Sequence, residues 1–250
     1  MSKLASFCFH GSLNDFLLPL KRDTSIAYVF NDTPAIKHAI ESIGVPHAEV
    51  NVIIVNSVPV DFGYPLRDKD EVEVYPLFSK SVFPETWSLL NNHFLSGKFI
   101  LDVHLGKLAR ILRLLGFDTF YENDYDDKVI VQIAEAEKRI VLTRDVNLLK
   151  HKSITRGYWL RSQFAEEQLK EVARRFKLNG KFKPFERCVE CNGTIIRVEK
   201  EAVIDKLLPK TILYYHDFFQ CTCCKRIYWR GSHYEQMLQF IERMQKLFTE

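Results

Sequence analysis

The spacing of apolar positions changes along the chain. Up to about residue 80 apolar residues alternate with polar ones or gather in short runs bounded by turn residues, which is how strands read. Phe7 and Phe9, then Phe16 to Leu20, flank the turn HGSLND, and this predicts a hairpin. Thr33 and Pro34 take the N-cap and first-turn positions of a helix that carries Ile36, Ala39, Ile40 and Ile43 on one face and stops at Gly44. VNVIIVNSVPV and DEVEVYPLF supply further strands, the second with alternating Val72 and Val74. A hairpin, a helix and more strands outline a β-grasp domain over residues 1–82.

From Phe99 the period becomes that of alternating strand and helix. KFILD reads as a buried strand, and Leu105, Leu108, Leu112 and Leu115 make one face of a helix ended by Gly116. FDTFY is a second strand, and a helix from about Asp127 turns Val129, Ile130, Ile133 and Ala134 inward. RIVLT and GYWLR are further strands, followed by a helix lined by Leu169, Val172, Ala173 and Phe176. Strands joined by crossover helices predict an α/β domain over 97–182, a parallel sheet with helices on its faces. A loop-rich segment follows over 185–250, closed by a helix that Ser232 and Glu235 open as a capping box, with Met237, Leu238, Ile241 and Met244 inward.

Composition narrows the class. Over 250 residues, 46% hydrophobic and 27% charged residues suit a globular chain, and 13% aromatics argue against disorder. The opening stretch MSKLASFCFHGSLNDF has no apolar run of signal-peptide length, and the aliphatic stretch at Val52–Val55 is too short for a bilayer. A cytoplasmic protein with no membrane partner is expected. Charge is divided unevenly: Met1 to Glu85 holds 7 Lys and Arg against 11 Asp and Glu, the remainder 28 against 21. The basic remainder suits a polyanionic partner.

Of 6 cysteines, Cys8 stands apart and the others fall between positions 188 and 224. Cys188-x-x-Cys191 and Cys221-x-x-Cys224 are knuckle pairs whose four thiolates can close a tetrahedron around one structural Zn²⁺. Two disulfides and a rubredoxin-like iron are the other readings. Cys223 lies inside the second pair as a bystander thiol or an alternative ligand.

In an open parallel sheet, ligands collect at the carboxyl ends of the strands. Asp102 closes FILD and Asp145 follows VLT, while ENDYDD places Asp124, Asp126 and Asp127 at the mouth of a helix. Carboxylates gathered in one concave site call for a hard divalent cation, Mg²⁺ or Mn²⁺, and that layout supports phosphodiester hydrolysis. The plainer reading makes Asp124 or Asp126 an N-cap and Asp127 a complement to the helix dipole. Lys107, Arg110 and Arg113 share a stripe opposite the leucines, Arg144 adjoins Asp145, and Arg161 follows the fourth strand; Arg grips phosphate bidentately. For Arg113 the expectation is a solvated helix face. Tyr158, Trp159, Tyr228 and Trp229 are either base-stacking groups or core. His104 and His233 read as incidental.

The run FILDVHLGKLARILRLLGFDTFYENDYDD, then RIVLTRD, RCVECNGTI and YWRGSHYEQM, resembles the Mut-seven C-terminal RNase domain family, PIN-like nucleases with an appended zinc ribbon. The N-terminal segment resembles the ubiquitin-like domain that often precedes it. The resemblance implies a PIN-like three-layer α/β/α fold and a metal-dependent ribonuclease site on Asp102, Asp127 and Asp145, with Asp124 or Asp126 as a fourth acid. It also puts the basic helix motif on Lys107 and Arg110 and the zinc on Cys188, Cys191, Cys221 and Cys224. Lys107 stands where the family commonly has Arg, and the helix over 104–115 lacks the extra Glu of many PIN nucleases. Carriers of the ubiquitin fold act through a free Gly-Gly end, whereas here the chain continues through PLFSKSVFPE, so a covalent carrier is not expected. The reading is a divalent-metal-dependent ribonuclease acting on RNA, with endonucleolytic cleavage expected and the ubiquitin-like domain available to a protein partner. The alternatives are a non-catalytic RNA-binding module that uses the zinc ribbon and basic surface, and a protein-interaction scaffold built on the β-grasp domain.

Overall fold

The computed structural model describes residues 2–77, 83–89 and 97–249. Strand β1 (Lys3–Phe9) turns Ala5, Phe7 and Phe9 into a core, and its alternating partners face the other side. β2 (Ile26–Phe30) pairs with it antiparallel, and helix α1 (Ile36–Ile43) lays Ile36, Ala39 and Ile40 on the same core. β3 (Val50–Val55) and β4 (Val58–Val60) form a tight hairpin whose two connecting residues, Asn56 and Ser57, both take the left-handed φ of a primed turn. β5 (Glu71–Pro76) then enters the middle of the sheet, parallel to β1 and antiparallel to β3, giving the order β2-β1-β5-β3-β4. This is the mixed sheet with a single helix that the pattern predicts.

Two local readings change. Phe16 to Leu20 is no strand: residues Gly11–Phe16 and Pro19–Lys21 form short 3₁₀ helices, so the hairpin runs from β1 to β2 across a longer connection. Buried Asn14 explains this, because its amide donates to the Phe9 carbonyl at 2.7 Å and to Asp23 Oδ1 at 2.8 Å, while its oxygen accepts the Asp23 N–H at 2.9 Å. Those bonds close the connection on itself and let Leu13 and Leu17 plug the core. The N-cap of α1 is Ala35 rather than Thr33, since the Ile36 N–H is satisfied by the Tyr64 carbonyl at 2.9 Å and needs no side-chain cap.

Beyond the sheet, strands and helices alternate: β6 (Lys98–Leu101), α2 (Gly106–Leu114), β7 (Asp118–Phe120), α3 (Asp127–Glu137), β8 (Ile140–Thr143), α4 (Val146–Leu149), β9 (Gly157–Trp159) and α5 (Ala165–Arg175). β6 pairs parallel with β7, and β8 with β9, in keeping with the expected parallel α/β class. An antiparallel sheet of β10 (Ile195–Val198), β11 (Phe218–Cys221) and β12 (Ile227–Trp229) follows, with α6 (Pro209–Tyr214) inserted before β11 and α7 (Ser232–Thr249) closing the chain. The molecule divides into two compact units, Met1–Ser96 with Asp126–Leu160, and Gly97–Tyr125 with Arg161–Glu250.

In the first unit the N-terminal sheet packs on the segment from α3 to β9. Fully buried Glu49 accepts the Trp159 backbone N–H at 2.6 Å, Lys150 Nζ donates to the Glu41 carbonyl at 3.1 Å, and the rings of Phe16 and Trp159 lie 5.2 Å apart. Gly157 lies at this contact, where a Cβ would stand 2.3 Å from Leu149 Cδ2 and 3.6 Å from Ala48 Cβ, so a larger residue requires Leu149 to move. In the second unit α2, with Leu108 and Leu112 buried, packs on α5, with Leu169, Val172 and Ala173 buried, and Phe99 lies edge-on to Phe176 just past the end of α5. Gly116 ends α2 at φ 91°, as its position predicts.

Glu49→Ala leaves a buried strand N–H without its carboxylate and should cost about 1–3 kcal/mol in urea unfolding. Burial and nearby Lys37 lower His47 below the ordinary imidazole value of 6.5, against the pull of Glu41. The unfolded chain therefore takes up that proton at higher pH than the folded one. The His47 contribution is complete above about pH 6.5 and declines as pH falls below it, and His47→Gln should flatten that part of a stability-versus-pH profile.

Candidate active site and metal centre

The two cysteine pairs sit in like turns: Asn192 after the first and Lys225 after the second both adopt left-handed φ. The Cys188 N–H bonds the Gly193 carbonyl at 2.7 Å, and the Cys221 N–H bonds the Arg226 carbonyl at 3.0 Å. These turns bring the sulfurs of Cys188, Cys191, Cys221 and Cys224 within 4.8 Å of one another, with Cys188 to Cys224 at 3.6 Å and Cys191 to Cys221 at 3.4 Å. A tetrahedral zinc with bonds of about 2.3 Å holds its sulfurs about 3.8 Å apart, so the set fits that ion. Gly193 belongs to the same cradle, since a Cβ there would lie 2.7 Å from Cys221 Sγ. All six cysteines are unbridged, so neither pair is a disulfide. Cys223 is exposed and stands outside the group, although its N–H points to Cys221 Sγ at 3.4 Å.

At Cys191 burial favours the neutral thiol, but the Gly193 N–H and the thiols of Cys221 and Cys224 outweigh it and bring the sulfur down to about 6. Burial pushes Cys224 up to about 12. The Tyr228 hydroxyl lies 2.9 Å from Cys188 Sγ, and burial followed by that sulfur raises the phenol. Tyr228 is thus committed to the cysteine cluster rather than to stacking. Tyr158 is core, Trp159 packs on Phe16 with its indole N–H on the Arg144 carbonyl at 3.1 Å, and Trp229 faces Tyr215.

Arg113 overturns the expectation of a solvated helix face. It is 3% exposed, and its guanidinium donates to the carbonyls of Thr119 at 2.9 Å, Tyr121 at 3.1 Å, Glu190 at 2.5 Å and Val189 at 3.3 Å. The physical reason is that the C-terminal end of α2 lies between β7 and the first knuckle, where carbonyls converge. Asn192 adds to this join, accepting the Thr119 N–H at 2.9 Å and donating to Asp118 Oδ1 at 2.7 Å. Arg110 pairs with Glu190 at 2.5 Å at the exposed rim, Lys107 is exposed, and Arg226 shares Glu190 at 3.2 Å.

The acids sit at strand and helix ends. In the second unit Asp102 directly follows β6, is 6% exposed, and accepts the His104 N–H at 2.8 Å. Tyr121, beyond the end of β7, lies close to it: burial and then the Asp102 carboxylate raise this phenol, whose hydroxyl reaches the Val103 carbonyl at 3.0 Å and Asn123 Oδ1 at 2.7 Å. Gly106 makes that approach feasible, since a Cβ would stand 2.6 Å from the Tyr121 oxygen. Sequence reasoning missed Tyr121; its position just past a strand end was the available signal. In the first unit Asp126 caps α3 by accepting the Val129 N–H at 2.8 Å, and Asp127 is exposed in the first turn. Asp145 caps α4 through the Asn147 N–H at 2.8 Å, with its own N–H on Thr143 Oγ1 at 2.8 Å. Because α3 leads into β8 through a two-residue turn, its N-terminus lies at the end where β8 delivers Asp145. Asp124 and Arg144 are exposed, and the Arg161 N–H bonds Glu171 at 2.9 Å. No helix among the described residues is long and apolar enough to cross a membrane.

Comparison with known proteins places these features in a family. Residues 97–241, more than half of the chain, match the family model described as Mut7-C RNAse domain, and residues 2–82 match the one described as Mut7-C ubiquitin. Among solved structures, the solution structure of the Haloferax volcanii HVO 2177 protein is similar at 17% identity, covering 32% of this chain and 88% of that one with a TM-score of 0.25. No curated protein matches with significance.

Replacing Arg113 with Met strands several buried carbonyls, at about 1–3 kcal/mol each, and should lower both the urea midpoint and the affinity for zinc in a chelator competition. Arg113→Lys should not rescue it, because an ammonium cannot fork between carbonyls on two segments.

Proposed function

The chain belongs to the Mut7-C RNAse domain family, and we propose that it is a divalent-metal-dependent ribonuclease whose acidic set is Asp102, Asp127 and Asp145, with Asp124 or Asp126 as a further acid. The observation that carries this reading is Asp102, a carboxylate 6% exposed at the carboxyl end of an apolar strand inside the matched segment. The donor set is oxygen only, which suits Mg²⁺ or Mn²⁺ rather than zinc. When bound, such an ion supplies the positive charge that lets the carboxylates coexist and that stabilises charge developing on the phosphodiester.

The chain's own groups do the rest. The caps on Asp102 and Asp145 orient each carboxylate through a backbone N–H. Lys107, Arg110, Arg144 and Arg161 grip the phosphate backbone, with Arg110 exchanging Glu190 for a phosphate oxygen. The four-cysteine zinc ribbon, anchored by Arg113, extends the basic surface along the RNA, and cleavage is endonucleolytic. The ubiquitin-like domain stiffens the β8–β9 segment through Glu49 and offers its remaining surface to a protein partner. The proposed division is into residues 1–82, 97–182 and 185–250; the matched segments, 2–82 and 97–241, support its first boundary alone.

A second reading, a non-catalytic RNA-binding module, draws on the fact that Asp102, Asp126 and Asp145 each already accept a backbone N–H. Asp102→Asn and Asp145→Asn separate the two, since Asn preserves the cap but not the charge. With unchanged circular dichroism, each variant should lose Mg²⁺- or Mn²⁺-stimulated cleavage of single-stranded and hairpin RNAs, down to the level seen with chelator. A native protein that cuts none of these RNAs with either metal, yet forms a salt-sensitive complex, would establish the binding module instead.

A further inference from the structure

The N-terminal sheet carries a second cluster of metal-ligating chemistry, remote in sequence from the ribbon. Phe7 and Phe9 of β1 face the core, so alternation puts Cys8 and His10 together on the opposite face. The parallel register then sets Glu73 of β5 directly opposite Cys8. One ligand atom from each of Cys8, His10 and Glu73 lies within 4.8 Å of the other two, and His10 Nε2 contacts Glu73 Oε2. An ion pair accounts for the histidine and the glutamate but leaves the thiol without a reason to be there.

These groups are held in place before any ligand arrives. The His10 imidazole stacks on Tyr75 at 4.1 Å with the rings 4° from parallel, and Tyr75 meets Phe83 edge-on at 4.7 Å. Phe83 in turn stacks on Trp87 at 5.9 Å. The Tyr75 hydroxyl donates to Glu73 Oε2 at 3.2 Å, the outer hydrogen bond that commonly orients a ligating carboxylate. The His10 and Glu73 side chains are 34% and 43% exposed, so solvent reaches the cluster.

We propose that Cys8, His10 and Glu73 form a second zinc site, with Tyr75 as its orienting partner and a fourth position open to solvent. Sulfur, nitrogen and oxygen from three residues are a donor set for a borderline divalent ion, and hard ions such as Mg²⁺ and Ca²⁺ ask for oxygen alone. A thiolate and a carboxylate together match the charge of Zn²⁺. On binding, the Cys8 thiol proton leaves to solvent and neutral His10 coordinates through a ring nitrogen.

The test uses the full chain, stripped of metal under reducing conditions and titrated with Zn²⁺ against a chromophoric chelator. The native protein should take up two equivalents, one for the four-cysteine set and one for this site. Cys8→Ser and His10→Gln, both on the solvent-facing side of the sheet, should each take up one equivalent with unchanged circular dichroism. Tyr75→Phe should keep two but weaken the second by roughly 10–100-fold. A native protein that binds a single equivalent, or a second equivalent indifferent to both Cys8→Ser and His10→Gln, would overturn the proposal. Neither result depends on whether the chain cuts RNA.

Discussion

A guanidinium taken out of water must find acceptors for five N–H groups, and the second unit is organised around the solution Arg113 reaches. Its partners are main-chain carbonyls from the end of β7 and from the first cysteine turn, segments about seventy residues apart. Burial pulls Arg113 below the ordinary arginine value, while Glu122, Cys191, Cys188 and Glu190 pull the other way. Four thiolates around one zinc carry a net negative charge, so a buried cation beside them is electrostatically matched. The ribbon is too loop-rich to make a core of its own. Arg113 and Asn192 together give it one fixed seat on α2 and β7.

The first unit solves a related problem with the opposite charge. Strand β9 presents a backbone N–H, and Glu49, buried in a turn of the N-terminal sheet, accepts it. Around that bond Gly157, Ala48 and the Phe16–Trp159 pair close the contact by shape. The ubiquitin-like sheet is therefore a structural part of the fold that holds Asp127 and Asp145. Its outer face remains available, and there alternation along β1 and β5 assembles Cys8, His10 and Glu73.

Asp102, Asp126 and Asp145, proposed for the site, are also helix and turn caps. Asp at an N-cap is ordinary helix chemistry, and Asp126 needs no further account. Asp102 differs in being buried, and it stands beside Tyr121, whose hydroxyl packs close over Gly106. A cap that immobilises such a carboxylate would also preorganise it for an ion, so capping does not argue against the proposed acidic set.

Local regularities were legible in the chain alone. The leucine period of α2, the stop signals at Gly44 and Gly116, the alternation of the strands, the paired cysteines and the acids following apolar strands all depend on neighbours a few residues away, where spacing dictates geometry. Tertiary structure decided the rest. Asn14 turned Phe16 to Leu20 from a strand into short 3₁₀ helices, and the Tyr64 carbonyl made a Thr33 cap unnecessary. Glu49 and Arg113 are charged residues that any pattern assigns to the surface. They are buried because acceptors and donors from distant segments meet them there, and no period in the sequence encodes where a distant carbonyl or N–H will arrive.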